Sequence, residues 1–145
     1  MNQPALPAAY KIGINDLDEQ HSVLFEHLRD LDASIAAGDR WVVVHNTLTE
    51  LVHWTQLHFA VEESVMRICR YPDLERHIEQ HHGFVAKVQQ MKQKSLTDDI
   101  AAEASTMLHD WLVHHIQIED RKYADHFLTV SERFALALDQ NKTPD

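Results

Sequence analysis

Cysteine is all but missing from these 145 residues: Cys69 is the only one, so no intramolecular disulfide can form and a reducing cytoplasm is the expected setting. Glycine occurs 3 times and proline 4 times, which leaves few places for tight turns. A few long helices suit such a chain better than many short strands. Positive charge is also short. Against 23 Asp+Glu stand 13 Lys+Arg, formally −10 with His neutral. A surface of that sign repels phosphates and anionic lipid, so neither nucleic acid nor a membrane is an expected partner. No apolar run approaches the roughly 18 residues needed to span a bilayer, and the N-terminus lacks a signal-peptide pattern.

What the chain has in excess is histidine, at 12 nearly as many as all Lys and Arg together. That number points either to titration near neutrality or to metal binding. At this length the chain fits one domain, 1–145, with a full hydrophobic core. Residues 1–14 carry two prolines and a glycine with no helical period and read as an extended arm. A first helix starts near Asp16 or Asp18 and stops at Gly38. Its apolar stripe is Leu24, Phe25, Leu28, Leu31 and Ile35, with His21 on the same face. A second helix runs from Asp39 or Trp41 to Cys69. Its inward stripe of Val44, Leu48, Leu51, Thr55, His58, Glu62, Val65 and Cys69 turns polar at His58 and Glu62.

Tyr71-Pro72-Asp73 breaks that helix and opens a third, striped by Leu74, His77, His81, Phe84, Val88 and Met91. After a polar link, Thr97-Asp98-Asp99 caps a fourth, which carries Ala104, Leu108, Trp111, His115 and Ile118. Phe127, Val130, Phe134 and Leu138 then mark a short extra helix in a C-terminal extension, 124–145. The expected fold is all-α: an up-down-up-down four-helix bundle over about 15–123, with the arm before it and the extra helix after it.

Each stripe should face the bundle interior, yet each is interrupted by His or a carboxylate. A carboxylate buried without a partner costs several kcal/mol or more; a pair of cations would offset that. His58 and Glu62 are four residues apart, as are His77 and His81, so each pair projects from one helix face. A second carboxylate is expected after His115. Ordinary helical geometry favours Glu119, four residues on, because a five-residue step rotates about 140°. Asp120 would face inward only with a single π-type turn.

The segments GINDLDEQHSVLF (13–25), HFAVEESVM (58–66), YPDLERHIEQH (71–81) and WLVHHIQIEDRKY (111–123) together resemble the hemerythrin family, its bacterial branch of HHE-type cation-binding bundles, in order and spacing. The resemblance implies a non-haem di-iron centre with an oxo or hydroxo bridge. His77, His81 and His115 would hold one iron, His21 and His58 the other, and Glu62 and Asp120 would bridge them. It therefore selects Asp120 over Glu119. The first iron then has six ligands and the second five, which leaves one position for O2.

The implied function is reversible oxygen binding, as carrier, store or sensor, not catalysis. Leu24, Phe25, Trp111 and Leu112 are candidates to line an apolar oxygen pocket. The alternatives are a di-iron oxidase or peroxidase and a nitric-oxide or redox-responsive signalling module. In the latter the C-terminal extension would mediate self-association or meet a downstream partner. Imidazole and carboxylate also suit manganese or zinc.

The remaining histidines, His27, His45, His53, His82, His109, His114 and His126, read as surface or packing residues. Glu50-x-x-His53 matches one unit of the ferritin-like di-iron motif, but that architecture needs two. Asp18 reads equally as a helix cap or as a partner orienting a ligand. Met66 and Cys69 read as packing.

Overall fold

The structure, a computed structural model, describes residues 6–38 and 41–141. The arm's first five residues, the Asp39 start for the second helix and the last four residues of the extension lie outside that range. A 3₁₀ turn, Ala8–Tyr10, is followed by α1 (Asn15–Ala36), α2 (Trp41–Ile68), α3 (Leu74–Lys94) and α4 (Ala101–His114). A π-wound turn, His115–Asp120, then leads into α5 (Arg121–Gln140). Helices α1 with α2, α2 with α3, α3 with α4 and α4 with α1 pack side by side, which closes the four-helix bundle expected from the stripes. The extra C-terminal helix is present as α5, joined to α4 through the π-wound turn without an intervening loop.

Local chemistry sets the helix ends. Asp18, in the first turn of α1, neither caps the helix nor touches the inner histidines by a hydrogen bond. Its carboxylate accepts the backbone N–H of Ile12 at 2.8 Å and of Gly13 at 3.3 Å, folding the arm back onto the helix start. Gly13 takes φ +93° there, a conformation open to glycine. At the far end of α2, Arg70 N–H donates to Arg67 O and Tyr71 N–H to Met66 O, the paired bonds of a Schellman stop. Arg70 occupies the left-handed position at φ 53° that glycine usually fills.

The buried apolar side chains form two clusters. The larger contains Leu24, Leu28, Leu48, Leu51, Phe84, Val88, Leu108 and Leu112. The smaller contains Ile12, Leu17, Met66, Ile116, Tyr123 and Ala124. Between them, on every helix of the bundle, lies a band of buried polar residues: His21 on α1, His58 and Glu62 on α2, His77 and His81 on α3, and His115 and Asp120 on the π-wound turn. The interruptions seen in the four stripes thus fall at one height.

Candidate metal centre

All seven band residues are at most 3% exposed. The i,i+4 spacing of His58 with Glu62 and of His77 with His81 sends both members of each pair to the same face. Asp120 reaches the centre by a different device. The π-wound turn bonds i to i+5, so one extra residue is accommodated and the five-residue step from His115 keeps Asp120 facing inward. Glu119 turns aside and sits 3.8 Å from Arg76 Nη2 and 3.4 Å from Lys122 Nζ.

The contacts divide by carboxylate oxygen. Glu62 Oε1 lies 3.1 Å from His21 Nε2 and 3.0 Å from His58 Nε2, while Oε2 lies 3.2 Å from His81 Nε2. Asp120 Oδ2 lies 3.2 Å from His21 Nε2, while Oδ1 lies 3.1 Å from His77 Nε2 and 3.0 Å from His115 Nε2. Two groups result, one of His21 and His58, the other of His77, His81 and His115. Both include Glu62 and Asp120, and within each group the candidate ligand atoms lie within 4.8 Å of one another.

Hydrogen bonds alone do not account for this arrangement. His58 Nδ1–H donates outward to Gln20 Oε1 at 2.7 Å and His81 Nδ1–H to Glu63 Oε1 at 3.1 Å. In the neutral rings, then, both Nε2 lone pairs face carboxylate oxygens. His115 Nε2 lies 3.1 Å from both His77 Nε2 and His81 Nε2, so at least one nitrogen pair must share a proton awkwardly. Glu62 Oε2 and both oxygens of Asp120 lack a hydrogen bond despite these short distances. Acceptors that converge on one another fit a cation placed among them.

The electrostatics of the cluster point the same way. Burial opposes charging of His21, but contacts with Asp120 and Glu62 outweigh it and push its pKa up to about 10. The same balance raises His77 to about 9. Burial works against ionisation of Glu62 as well, yet His58 and His21 hold it well below the usual carboxylate range. For Asp120, burial and the Glu62 charge are overcome by His115 and His21, and its pKa is lowered too. Protons on the histidines stand in for metal charge.

A family model described as the hemerythrin HHE cation binding domain matches residues 12–127. The chain belongs to the hemerythrin family. It is 34% identical over 125 residues to a bacteriohemerythrin of Stenotrophomonas maltophilia (strain R551-3), covering 86% of this chain and 81% of that one. To the myohemerythrin of Theromyzon tessulatum it is 32% identical, covering 79% and 85%. A crystal structure of wild-type hemerythrin superposes with a TM-score of 0.76 at 24% identity, over 88% of this chain and 97% of that one, a likeness of fold. Hemerythrin homologues are non-haem di-iron, oxygen-binding proteins, and the buried His, Glu and Asp cluster here is compatible with an iron site.

Within this hemerythrin bundle several contacts escape sequence reading. Tyr123 O–H donates to Glu62 Oε1 at 2.8 Å, and burial beside Glu62 and Asp120 pushes its pKa well up. The signal for it was a three-residue step from Asp120. Phe59 stacks on His81, with ring centroids 3.6 Å apart and planes within 3°. Gln20 and Glu63 each adjoin a member of the band in sequence, and no pattern marks them out.

The suggested pocket residues divide: Leu24 and Leu112 are buried, while Phe25 and Trp111 are partly buried against the same cluster. Trp111 also stacks on His115, with centroids 4.3 Å apart. The other histidines stay outside both groups. His53, His82 and His114 are exposed, as is Glu50. His45 Nδ1–H donates to Lys92 O, His109 Nε2–H to Asp32, and His126 Nε2–H to Cys69 O. Cys69 is a buried packing residue whose thiol pKa burial raises. No helix among the described residues is long and apolar enough to cross a membrane.

Proposed function

We propose that His77, His81 and His115 hold one iron ion, that His21 and His58 hold a second, that Glu62 and Asp120 bridge the two, and that the centre binds dioxygen reversibly in a carrier, store or sensor. The observation that carries this reading is the unequal sharing of histidines between two groups with both carboxylates in common. Two ferrous ions held there would supply the electrons that dioxygen accepts on binding and returns on release. His21 and His58 would give their metal one protein ligand fewer than His77, His81 and His115 give its neighbour, so a diatomic molecule would be taken up on the two-histidine side. Leu24, Phe25, Trp111 and Leu112 exclude water and external reductants from that space, which favours release over further oxidation. Tyr123 holds Glu62 by its Oε1, and Gln20 orients His58 through Nδ1.

Binding is favoured over catalysis by the donor set. Five neutral imidazoles and two carboxylates make a less electron-rich site than the four-Glu, two-His sites of ferritin-like bundles. The test is metal analysis with absorption spectra taken under oxygen and after its removal. About two irons per chain and a spectrum that reverts are expected for a family with two-metal sites; irreversible conversion to a ferric form under oxygen defeats the carrier reading. Peroxide turnover with a reductant, abolished in His77→Ala, would favour the oxidase or peroxidase alternative. The signalling alternative draws on α5, whose Phe134, Leu136 and Leu138 are exposed beyond the span of the family match and are available to a second copy or a downstream partner.

A further inference from the structure

Two constraints meet on His81. Its ring lies face to face with Phe59, and a face-on stack fixes the plane of an imidazole. It does not fix the angle of the ring within that plane, because a flat apolar partner offers no directional contact. The contact that does so is the in-plane hydrogen bond from His81 Nδ1–H to Glu63 Oε1 at 3.1 Å. Glu63 follows Glu62 in the chain, and one helical step of about 100° turns it away from the bundle centre. It lies in a groove of about 460 Å³ between α2 and α3, lined also by Gln56, Phe59, His82 and Val85. Its second oxygen lies 4.0 Å from Arg67 Nη2. At 17% side-chain exposure it keeps contact with solvent, so its charge is tolerated without a buried cation.

We propose that Glu63 is a positioning residue of the metal centre: by accepting the Nδ1 proton of His81 it sets that ring's tautomer and in-plane angle, so that the Nε2 lone pair points at the three-histidine metal position. The inference rests on the cluster holding two metal ions. His21 and His77 have no hydrogen-bond partner at Nδ1, so the loss of this contact would be felt at a centre whose outer supports are already few.

The test compares the full chain with its Glu63→Ala and Glu63→Gln variants, stripped of metal and titrated anaerobically with Co(II), read by visible absorption. Glu63→Ala is expected to weaken one of the two metal positions roughly 10- to 100-fold and leave the other alone. Glu63→Gln retains a carbonyl acceptor and should stay within about threefold of the parent, given that the hydrogen bond and not the charge does the positioning. A second readout is the exchangeable Nδ1–H resonance of His81 in the Co(II)-loaded protein. It should exchange slowly in the parent and in Glu63→Gln, and be lost to solvent exchange in Glu63→Ala. His82→Ala, in the same groove, should change neither readout. Unchanged affinity in Glu63→Ala overturns the inference, as does a Glu63→Gln variant as weak as Glu63→Ala. A parent chain that takes up no metal overturns the di-metal reading beneath it and is a distinguishable result.

Discussion

At the scale of single residues the centre depends on which side chains are shared. Glu62 and Asp120 each present one oxygen to either histidine group, so losing one of them is expected to weaken both proposed metal positions together. Asp120→Ala and Glu62→Ala should each lose most of the bound iron by metal analysis and unfold at lower temperature than the parent. Glu119→Ala should keep its iron, since Glu119 faces Arg76 and Lys122; equal losses at 119 and 120 would refute the assignment.

Tyr123→Phe removes a buried donor to a charged acceptor. It should cost about 2 kcal/mol in denaturant unfolding while leaving iron content intact. Proton linkage adds a pH signature to the metal-free protein. His21 and His77 have folded pKa values raised from 6.5 to about 10 and about 9. Their contribution is complete below 6.5 and is lost as pH rises through those folded values. Glu62 and Asp120 are lowered from 4.5 and 3.8, so theirs is present above those values and is lost as pH falls further. Urea unfolding of the metal-free chain should therefore show greater stability near pH 6 than near pH 10, and the alkaline loss should disappear once iron replaces the protons.

At the scale of elements, the π-wound turn is where sequence and fold part company. The stripes, the i,i+4 pairs and the break at Tyr71-Pro72-Asp73 could be read from spacing because α2 and α3 follow ordinary helical geometry through the site. The stretch from His115 to Asp120 does not, and spacing alone favours Glu119; resemblance to a family was needed to select Asp120. Asp18 fills neither role that its position suggests for a related reason: its partners are backbone N–H groups of the arm, which carry no side-chain signal. Glu63 and Gln20 were invisible because a hydrogen bond to the outer edge of a histidine leaves no periodic trace.

The turn makes a testable prediction. A π-wound turn accommodates one extra residue, so deleting the exposed Ile118 should restore α-helical bonding, put Asp120 four positions after His115 and retain iron. Deleting two residues should rotate Asp120 away by about 100° and lose it. The stop of α2 offers a second test. Arg70 occupies a left-handed position, so Arg70→Gly should raise stability by about 1 kcal/mol in thermal or denaturant unfolding.

For the whole molecule, the band of polar residues between two apolar clusters is expected to make metal loading part of folding. The larger cluster spans all four helices and holds the bundle away from the centre, while the smaller one joins the arm, the end of α2 and α5. Iron should thus raise the unfolding temperature by an amount that grows with free metal concentration. Beyond the smaller cluster, residues 131–140 of α5 are exposed throughout. Removing residues 130–145 should leave iron content and the oxygenated spectrum unchanged, while any self-association, measured by analytical ultracentrifugation, should fall. A spectrum altered by that truncation would mean that the tail supports the centre itself.

The helical path from Asp120 to Gln140 runs on without a hinge. At about 1.5 Å per residue, twenty residues make a rod of about 30 Å. A tilt of roughly 5° where the carboxylate is anchored would swing the far tip by about 2.6 Å, close to a water molecule's width. Any adjustment at Asp120 that tilted this rod would thus reach the surface magnified by its length.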